Sequence, residues 1–480
     1  MARECGGCEV QLDKVPLKYP GLAPWEIWIS ESQERMTLSV PKNKWDKFNK
    51  LMEQRGVEAT VIGKFTNSGR CVVEYNKQKI MDVDMDFLHD GLPPREIKTT
   101  YTKQKHEEPV FHPPTDLTES LLSMLSRPNI ASYEFISKQY DHEVQAGSVI
   151  KPLQGRGRIN GDASVTRPVL TSKKAIVCSQ GLNPTYSDID TYHMAACAID
   201  TAIRNAVTAG ADPDYIALMD NFCWCSSNES ERLGQLKAAV KACYDYSVTY
   251  GTPFISGKDS MFNDFKGYDE NGNPVKISVP PTLLISSIGV IDDAAKAISI
   301  DVKFAGDLVY ILGETNEENG ASEYFAMIGE RKKGKRYVGN AIPQVNAAKN
   351  RSLYYSLYKA IKGGIIASAQ SVHRGGLAVA LAKSAMAGMS GMEVSLVGLL
   401  GNVSRNDFVL YSESQGSVVV TIAPKNKKKF ERIMNGNAYA LVGTVRTDSV
   451  FIINGNNGKQ IVRSDIETML NRYKSTFMGY

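Results

Sequence analysis

Apolar and small residues recur on one face across residues 190–209, at Ala195, Ile199, Ile203 and Val207, with Ala198, Ala202 and Ala206 beside them. That 3.6-residue rhythm predicts a helix, and Gly210-Ala211-Asp212-Pro213 ends it. Residues 215–219 form a short apolar run that reads as a buried strand entering Asp220. Residues 233–248 read as a second amphipathic helix. Residues 252–256 read as a second strand, running into the turn Gly257-Lys258-Asp259-Ser260. Strand, helix, strand implies a crossover that leaves the two strands parallel. Asp220 and the turn would then stand beyond the same strand ends, where such sheets bind ligands. Residues 282–290 read as a further strand, 292–297 close this domain, and 308–313 open the last one.

The pattern of the first ninety residues returns near the end. Cys8-Glu9-Val10-Gln11-Leu12 pairs with Met392-Glu393-Val394-Ser395-Leu396, and Ile29-Ser30-Glu31-Ser32-Gln33 with Tyr411-Ser412-Glu413-Ser414-Gln415. Pro41-Lys42-Asn43-Lys44 pairs with Pro424-Lys425-Asn426-Lys427. Thr60-Val61-Ile62-Gly63 matches Ala440-Leu441-Val442-Gly443, and Lys79-Ile80-Met81 matches Gln460-Ile461-Val462. Repeats this long are duplicated domains. The second copy has a helical run ahead of it at 375–389 and the first has none, so the chain reads as about one and a half copies of a two-domain unit. Within the first copy, 25–29 reads as a strand, 44–52 as a helix, and 57–65 and 71–75 as strands joined by Thr66-Asn67-Ser68-Gly69. Residues 91–115 turn polar and Pro-rich, as a linker does. Residues 117–125 look helical.

Composition changes little in this picture. The 480 residues are 42% hydrophobic and 22% charged, ordinary for a globular protein. A net charge of +4 with dispersed basic residues gives no nucleic-acid patch; Lys425-Asn426-Lys427-Lys428-Lys429 reads as a solvated helix face. No apolar run has membrane-span length, and the start lacks a signal-peptide pattern, so a cytoplasmic location is expected. Eight cysteines include Cys5-x-x-Cys8 and Cys223-x-Cys225, without a second pair at zinc spacing, and they read as structural thiols.

Gly257-Lys258-Asp259-Ser260 puts a glycine, a cation, a carboxylate and a hydroxyl in one turn. Glycine permits close backbone approach to a phosphate, lysine neutralises it, and a carboxylate can take magnesium. The four residues read equally as a plain surface turn. The G-x-x-x-x-G-K spacing of a Walker A loop is absent. Glu31-Ser32-Gln33 offers a carboxylate, a hydroxyl and an amide, enough to orient a polar ligand or to bond locally at a strand end.

Several segments together resemble phosphoribosylformylglycinamidine synthase, the PurL-type synthetases of purine biosynthesis. They are Leu218-Met219-Asp220-Asn221-Phe222-Cys223-Trp224; Gly251-Thr252-Pro253-Phe254-Ile255-Ser256-Gly257-Lys258-Asp259-Ser260; the stretch from Trp25 through Glu31-Ser32-Gln33 to Met36; Tyr140-Asp141-His142-Glu143-Val144; and Gly375-Gly376-Leu377-Ala378-Val379-Ala380-Leu381. The resemblance covers essentially the whole chain in family order. That family duplicates a two-domain unit like aminoimidazole ribonucleotide synthetase. The resemblance therefore implies an α/β protein of PurM-like units. A truncated C-terminal-type domain would lie at 1–92, a linker at 93–115, an N-terminal-type domain at 116–298 and a C-terminal-type domain at 299–480.

The resemblance also implies roles. Glu31, Ser32, Gln33 and Ser260 would contact formylglycinamide ribonucleotide, and Asp220, Gly257 and Lys258 would contact ATP. ATP and Mg2+ would be the cofactors of an ATP-dependent C–N ligase. Three departures qualify it. The family's catalytic histidine motif and most magnesium carboxylates belong to a front half without counterpart here, so no catalytic residue and no metal ligand is assigned. Lys258 stands where some branches place a magnesium-binding asparagine. Ser371-Val372-His373-Arg374-Gly375-Gly376 replaces an acidic Ser-Asp-Gly-Gly, which implies a structural or vestigial second nucleotide site. The expected partners are a front-half synthetase chain, a glutaminase subunit and a small bridging subunit, with no nucleic acid or membrane. The competing expectation is a non-catalytic scaffold with a structural nucleotide site. A kinase of the same superfamily, acting on selenide or thiamine phosphate, is disfavoured by Glu31-Ser32-Gln33 and by Asp220 to Trp224.

Overall fold

The computed structural model describes every residue except 32–34, 95 and 140–143. Ser32, Gln33 and most of the Tyr140 to Val144 motif therefore lie outside the described residues. The chain divides into two units, Met1–Ile97 and Lys98–Tyr480.

The first unit is built on a four-stranded sheet. Strand β1 (Cys8–Gln11) runs antiparallel to β2 (Gly63–Phe65), with Cys8 opposite Phe65, and parallel to β3 (Arg70–Tyr75), with Cys8 opposite Cys71. Strand β4 (Gln78–Asp84) completes the sheet against β3. Helix α1 (Pro24–Trp28) occupies the segment read above as a strand. Pro24 presets the first helical φ, and the Glu26 carboxylate accepts from the Ala23 amide at 2.7 Å, so local end-chemistry overrides the apolar run. Helix α2 (Trp45–Gln54) follows, and Asp84 caps α3 (Met85–Asp90) by accepting from the Asp86 and Phe87 amides. The strand expected over 57–65 is confined to β2, which pairs only with β1. The core holds Cys8, Leu12, Ile27, Cys71, Val73 and Met85.

The second unit contains two large sheets. Helix α4 (Thr118–Leu125) precedes a six-stranded sheet made of β5 (Ser148–Ile150), β6 (Ala163–Thr166), β7 (Ala175–Leu182), β8 (Ile216–Cys223), β9 (Phe254–Ser260) and β12 (Thr282–Ile291). Its order is β9-β8-β12-β7-β6-β5. Helices α5 (Thr191–Thr208) and α6 (Ser230–Tyr250) cover the face carrying Val177, Leu218, Leu283 and Ile285. As the pattern requires, β8 and β9 are parallel across the α6 crossover. Strands β10 (Asp264–Tyr268) and β11 (Pro274–Ser278) form a separate hairpin.

The seven-stranded sheet takes β13 (Leu308–Leu312), β14 (Ile366–Ser371), β15 (Met392–Ser395), β16 (Val418–Ile422), β17 (Tyr439–Val445), β18 (Val450–Asn454) and β19 (Gln460–Asp465), in the order β14-β16-β13-β17-β15-β18-β19. Around it stand α7 (Glu323–Lys333), α8 (Ala347–Lys362), α9 (Gly376–Gly388), α10 (Asn406–Tyr411), α11 (Lys427–Met434) and α12 (Ile466–Ser475). Every residue of α9 is buried, which explains its run of alanines.

The duplication is visible in the register. Met392 lies antiparallel opposite Val445 and parallel opposite Phe451, as Cys8 lies opposite Phe65 and Cys71. Gly63 and Gly443 hold equivalent places. A Cβ would come within 2.2 Å of the Glu9 carbonyl in one copy and 1.9 Å of the Glu393 carbonyl in the other, so only glycine fits.

Residues 98–115 carry no helix or strand but are tied down. Thr100 donates its amide to the Ser230 carbonyl, and the Tyr101 hydroxyl reaches Asp190 at 3.0 Å. His106 donates its amide to Asn340 at 2.8 Å.

Candidate functional site

The β8–β9 pair assembles the central candidates. Asp220 lies opposite Gly257, Asn221 opposite Lys258, Phe222 opposite Asp259 and Cys223 opposite Ser260. The turn expected at Gly257 to Ser260 is instead the last four residues of β9, because the ladder to β8 continues through them. Asp220 likewise sits inside its strand. A register shift between Leu218 and Met219 admits one extra residue on β9 just before this stretch.

Gly257 makes room for its neighbour. A Cβ there would stand 2.6 Å from Oδ1 of Asp220, so the missing side chain is the room the carboxylate occupies. Partial burial raises the Asp220 pKa, and the nearby Asp259 charge adds to the rise, while a bond from the Lys258 amide opposes both. The Asp220 charge also reaches Cys243 on α6, whose thiol burial pushes up to about 12. Lys258 and Asp259 are exposed. The site thus offers a carboxylate poised against a bare backbone, with a cation and a second carboxylate at the surface.

Ser260 is held at the end of the pair. Its carbonyl accepts from the Trp224 amide at 2.8 Å, and Trp224 is fully buried with its indole donating to the Arg232 carbonyl at 3.1 Å. Asn263, which the sequence reading passed over, bonds both the carbonyl and the hydroxyl of Ser260. The only sequence signal for it was an amide three residues beyond a candidate serine. Among the described residues, no three His, Cys, Asp or Glu side chains converge as metal ligands.

Glu31 in the first unit is exposed. Its counterpart triplet is sealed. Glu413 is 3% exposed and accepts from the Gly375 amide at 2.9 Å, the Glu323 amide at 3.1 Å and the Tyr186 hydroxyl at 2.6 Å. The Gly375-Gly376 turn and the start of α7 are thus already served by an internal carboxylate. Gln415 accepts from Thr201 at 3.0 Å and from Arg204 at 3.2 Å. Arg204 is fully buried and also donates to Asp200, to Ser371 at 2.7 Å and to the Val372 carbonyl at 3.1 Å. Burial opposes its charge, yet Asp200 and the surrounding tyrosines outweigh that and raise its pKa.

Nearby, Asp162 meets His373 at 3.0 Å and Lys383 at 3.3 Å at the wall of a cavity of about 800 Å³. Burial works against the Asp162 carboxylate, but the Lys383 charge and the contact with His373 hold it well below the usual range.

The N-terminal domain model of AIR synthase related proteins matches residues 160–279, and the C-terminal domain model matches 1–76 and 305–454. The chain belongs to the AIR synthase related family. Its domains follow one another as C-terminal type, N-terminal type, C-terminal type. It is 32% identical over 475 residues to phosphoribosylformylglycinamidine synthase subunit PurL of Methanocaldococcus jannaschii, covering 98% of this chain and 61% of that one. The PurL of Alkaliphilus metalliredigens is 32% identical over 463 residues, covering 94% and 58%. The chain thus spans about three-fifths of the length of the curated relatives it matches. Thermotoga maritima PurL complexed with ADP shares the fold at a TM-score of 0.56 and 20% identity, over 93% of this chain and 61% of that chain. The same protein complexed with FGAR aligns at a TM-score of 0.55 and 17% identity, over 75% and 54%.

Proposed function

We propose that the chain forms part of a phosphoribosylformylglycinamidine synthase. In that reaction ATP phosphorylates the amide oxygen of formylglycinamide ribonucleotide, and glutamine-derived ammonia displaces phosphate to give the amidine. The observation that carries the reading is likeness to PurL along 98% of the chain. The packing of Asp220 against Gly257 supports it. In this reading Asp220, Gly257 and Lys258 contact ATP, with Lys258 neutralising phosphate. Ser260 and the triplet Glu31, Ser32, Gln33 contact the ribonucleotide. Phosphoryl transfer depends on positioned charge rather than a covalent nucleophile, which agrees with a site rich in charges and glycine. Magnesium belongs to the chemistry; no three ligating side chains converge among the described residues, and magnesium is commonly held by one or two carboxylates together with the substrate phosphates.

Complete activity requires the counterpart of the relatives' remaining length, and we place this chain beside a front-half synthetase chain, a glutaminase subunit and a small bridging subunit. A PurLQS assembly is known for Thermotoga maritima. Among the described residues no helix is long and apolar enough to cross a membrane, and a cytoplasmic setting fits the pathway.

The test is ADP release dependent on formylglycinamide ribonucleotide and ammonia, with the chain alone and mixed with a front-half chain. Activity in the mixture, abolished by Asp220→Ala and weakened through a raised KM by Ser260→Ala, is expected. Turnover by the chain alone would sink the requirement for a partner. An inactive mixture of folded, bound partners would leave the scaffold reading.

A further inference from the structure

Ser260 is useful to a substrate only if its hydroxyl points one way, and a serine at a strand end has three staggered choices. The structure assigns that choice to Asn263, and we infer that Asn263 is a positioning residue for Ser260; this rests on the substrate-contacting reading of Ser260 above.

The Asn263 amide nitrogen donates to the Ser260 carbonyl at 2.6 Å and to the Ser260 hydroxyl at 3.0 Å, and it reaches the Cys223 sulfur at 3.5 Å. Its amide oxygen accepts from the same hydroxyl at 3.3 Å. One planar amide therefore grips both ends of the serine. The hydroxyl thus accepts from the Asn263 nitrogen and donates to the Asn263 oxygen, which fixes its rotation and leaves its second lone pair for a donor on the ligand. Asn263 is itself immobilised. Its backbone amide donates to the Trp224 carbonyl at 3.0 Å, and its carbonyl accepts from the Val279 amide at 3.0 Å.

The loop between Ser260 and Asn263 is shaped for this grip. Phe262 adopts φ +59°, in the left-handed region that a residue with a Cβ enters at a cost. That conformation turns the chain back so that Asn263 faces the residue three before it. The hairpin of β10 and β11 starts at once. Its first residue, Asp264, accepts from the Ser226 amide at 3.0 Å, which fastens the loop after Trp224 to the same point. Ser260, Trp224 and the hairpin base thus form one bracket with Asn263 at its centre.

The test is a double-mutant cycle in the assembled synthetase, reading KM for formylglycinamide ribonucleotide and kcat separately. Asn263→Ala removes the grip, and loss of one hydrogen bond's worth of orientation should raise KM roughly tenfold. The double variant with Ser260→Ala should be no worse than Ser260→Ala alone. Asn263→Asp keeps the shape and loses the donors, so it should raise KM as Asn263→Ala does; it carries the test should the alanine variant misfold. An unchanged KM in Asn263→Asp, or effects that multiply in the double variant, would overturn the inference. If Ser260→Ala itself leaves KM unchanged, the assignment of Ser260 to the substrate fails first and takes this inference with it.

Discussion

The two copies of the repeat share a register and differ in what surrounds it. In the second copy the segment after Glu413-Ser414-Gln415 is β16, held between β13 and β14, and its five residues are all buried. In the first copy the corresponding residues 35–40 form no strand, and Met36 is 86% exposed. Among the described residues of 1–97 no strand stands where β13 and β14 flank β16. The shorter β2 against the seven-residue β17 has the same origin, since β17 also pairs with β13. A strand is a pairing rather than a local property, so the same pattern yields ladder in one copy and open chain in the other. Glu31 and Glu413 diverge for the same reason. Glu413 is enclosed by Tyr186, the start of α7 and the Gly375-Gly376 turn, whereas Glu31 is open to solvent.

Charge introduced at β16 should produce the largest effect. Val420→Asp places a carboxylate on a fully buried central strand, and a loss beyond about 5 kcal/mol is expected, read as absence of a cooperative urea transition for the second unit. A well-folded Val420→Asp chain would mean the sheet order is wrong.

Arg204 comes next. Arg204→Ala leaves Asp200, which also accepts from Tyr250, Tyr354 and Asn350, without its cation. Breaking a buried pair in this way typically costs about 3–5 kcal/mol. The surface pair of Arg70 and Asp82 in the first copy is the control; Arg70→Ala should leave thermal stability unchanged.

A smaller, pH-dependent effect belongs to Glu413. Burial raises its pKa above the ordinary 4.5, even though three donors favour the charged form. The folded state therefore holds this proton more tightly than the unfolded chain. Its contribution to stability is full below 4.5 and declines as pH rises through the raised value. Glu413→Gln should remove that decline while leaving acid stability little changed, and urea titrations across this range would show it. An identical pH profile in the variant would count against a buried, proton-holding Glu413.

Met36→Asp should be the mildest change, within about 0.5 kcal/mol, because the side chain already faces water. If a front-half chain binds the first unit over this segment, the same substitution should become costly only in the mixture, which would turn the contrast between the copies into a measure of what covers residues 35–40.

Much of the fold was legible in the chain. The alanine-rich period of α5, the glycine that closes it, and two apolar runs around α6 were enough to predict parallel β8 and β9. The duplication could be read because segments such as 8–12 and 392–396, or 60–63 and 440–443, match directly. The helix at Trp25 was not legible as apolar pattern, since Pro24 and Glu26 decide it by end-chemistry. The site was legible as a set of residues and less so as a shape. Asp220 and Gly257 were both singled out, but their mutual packing, with the glycine serving the carboxylate, appears only when two strands forty residues apart come into register. Asn263 carried no sequence signal beyond proximity.

The sequence by itself determined periodicity, the repeat, the crossover and the chemical inventory near Asp220 and Ser260, because these depend on neighbours within a few residues or on direct comparison of one segment with another. Tertiary structure alone decided that Glu413 is sealed while Glu31 is exposed, that Gly257 to Ser260 is strand rather than turn, and that residues 35–40 form no strand. Each of these turns on partners distant in the chain, and hydrogen-bonding groups and charges take their final state from whatever the fold brings against them.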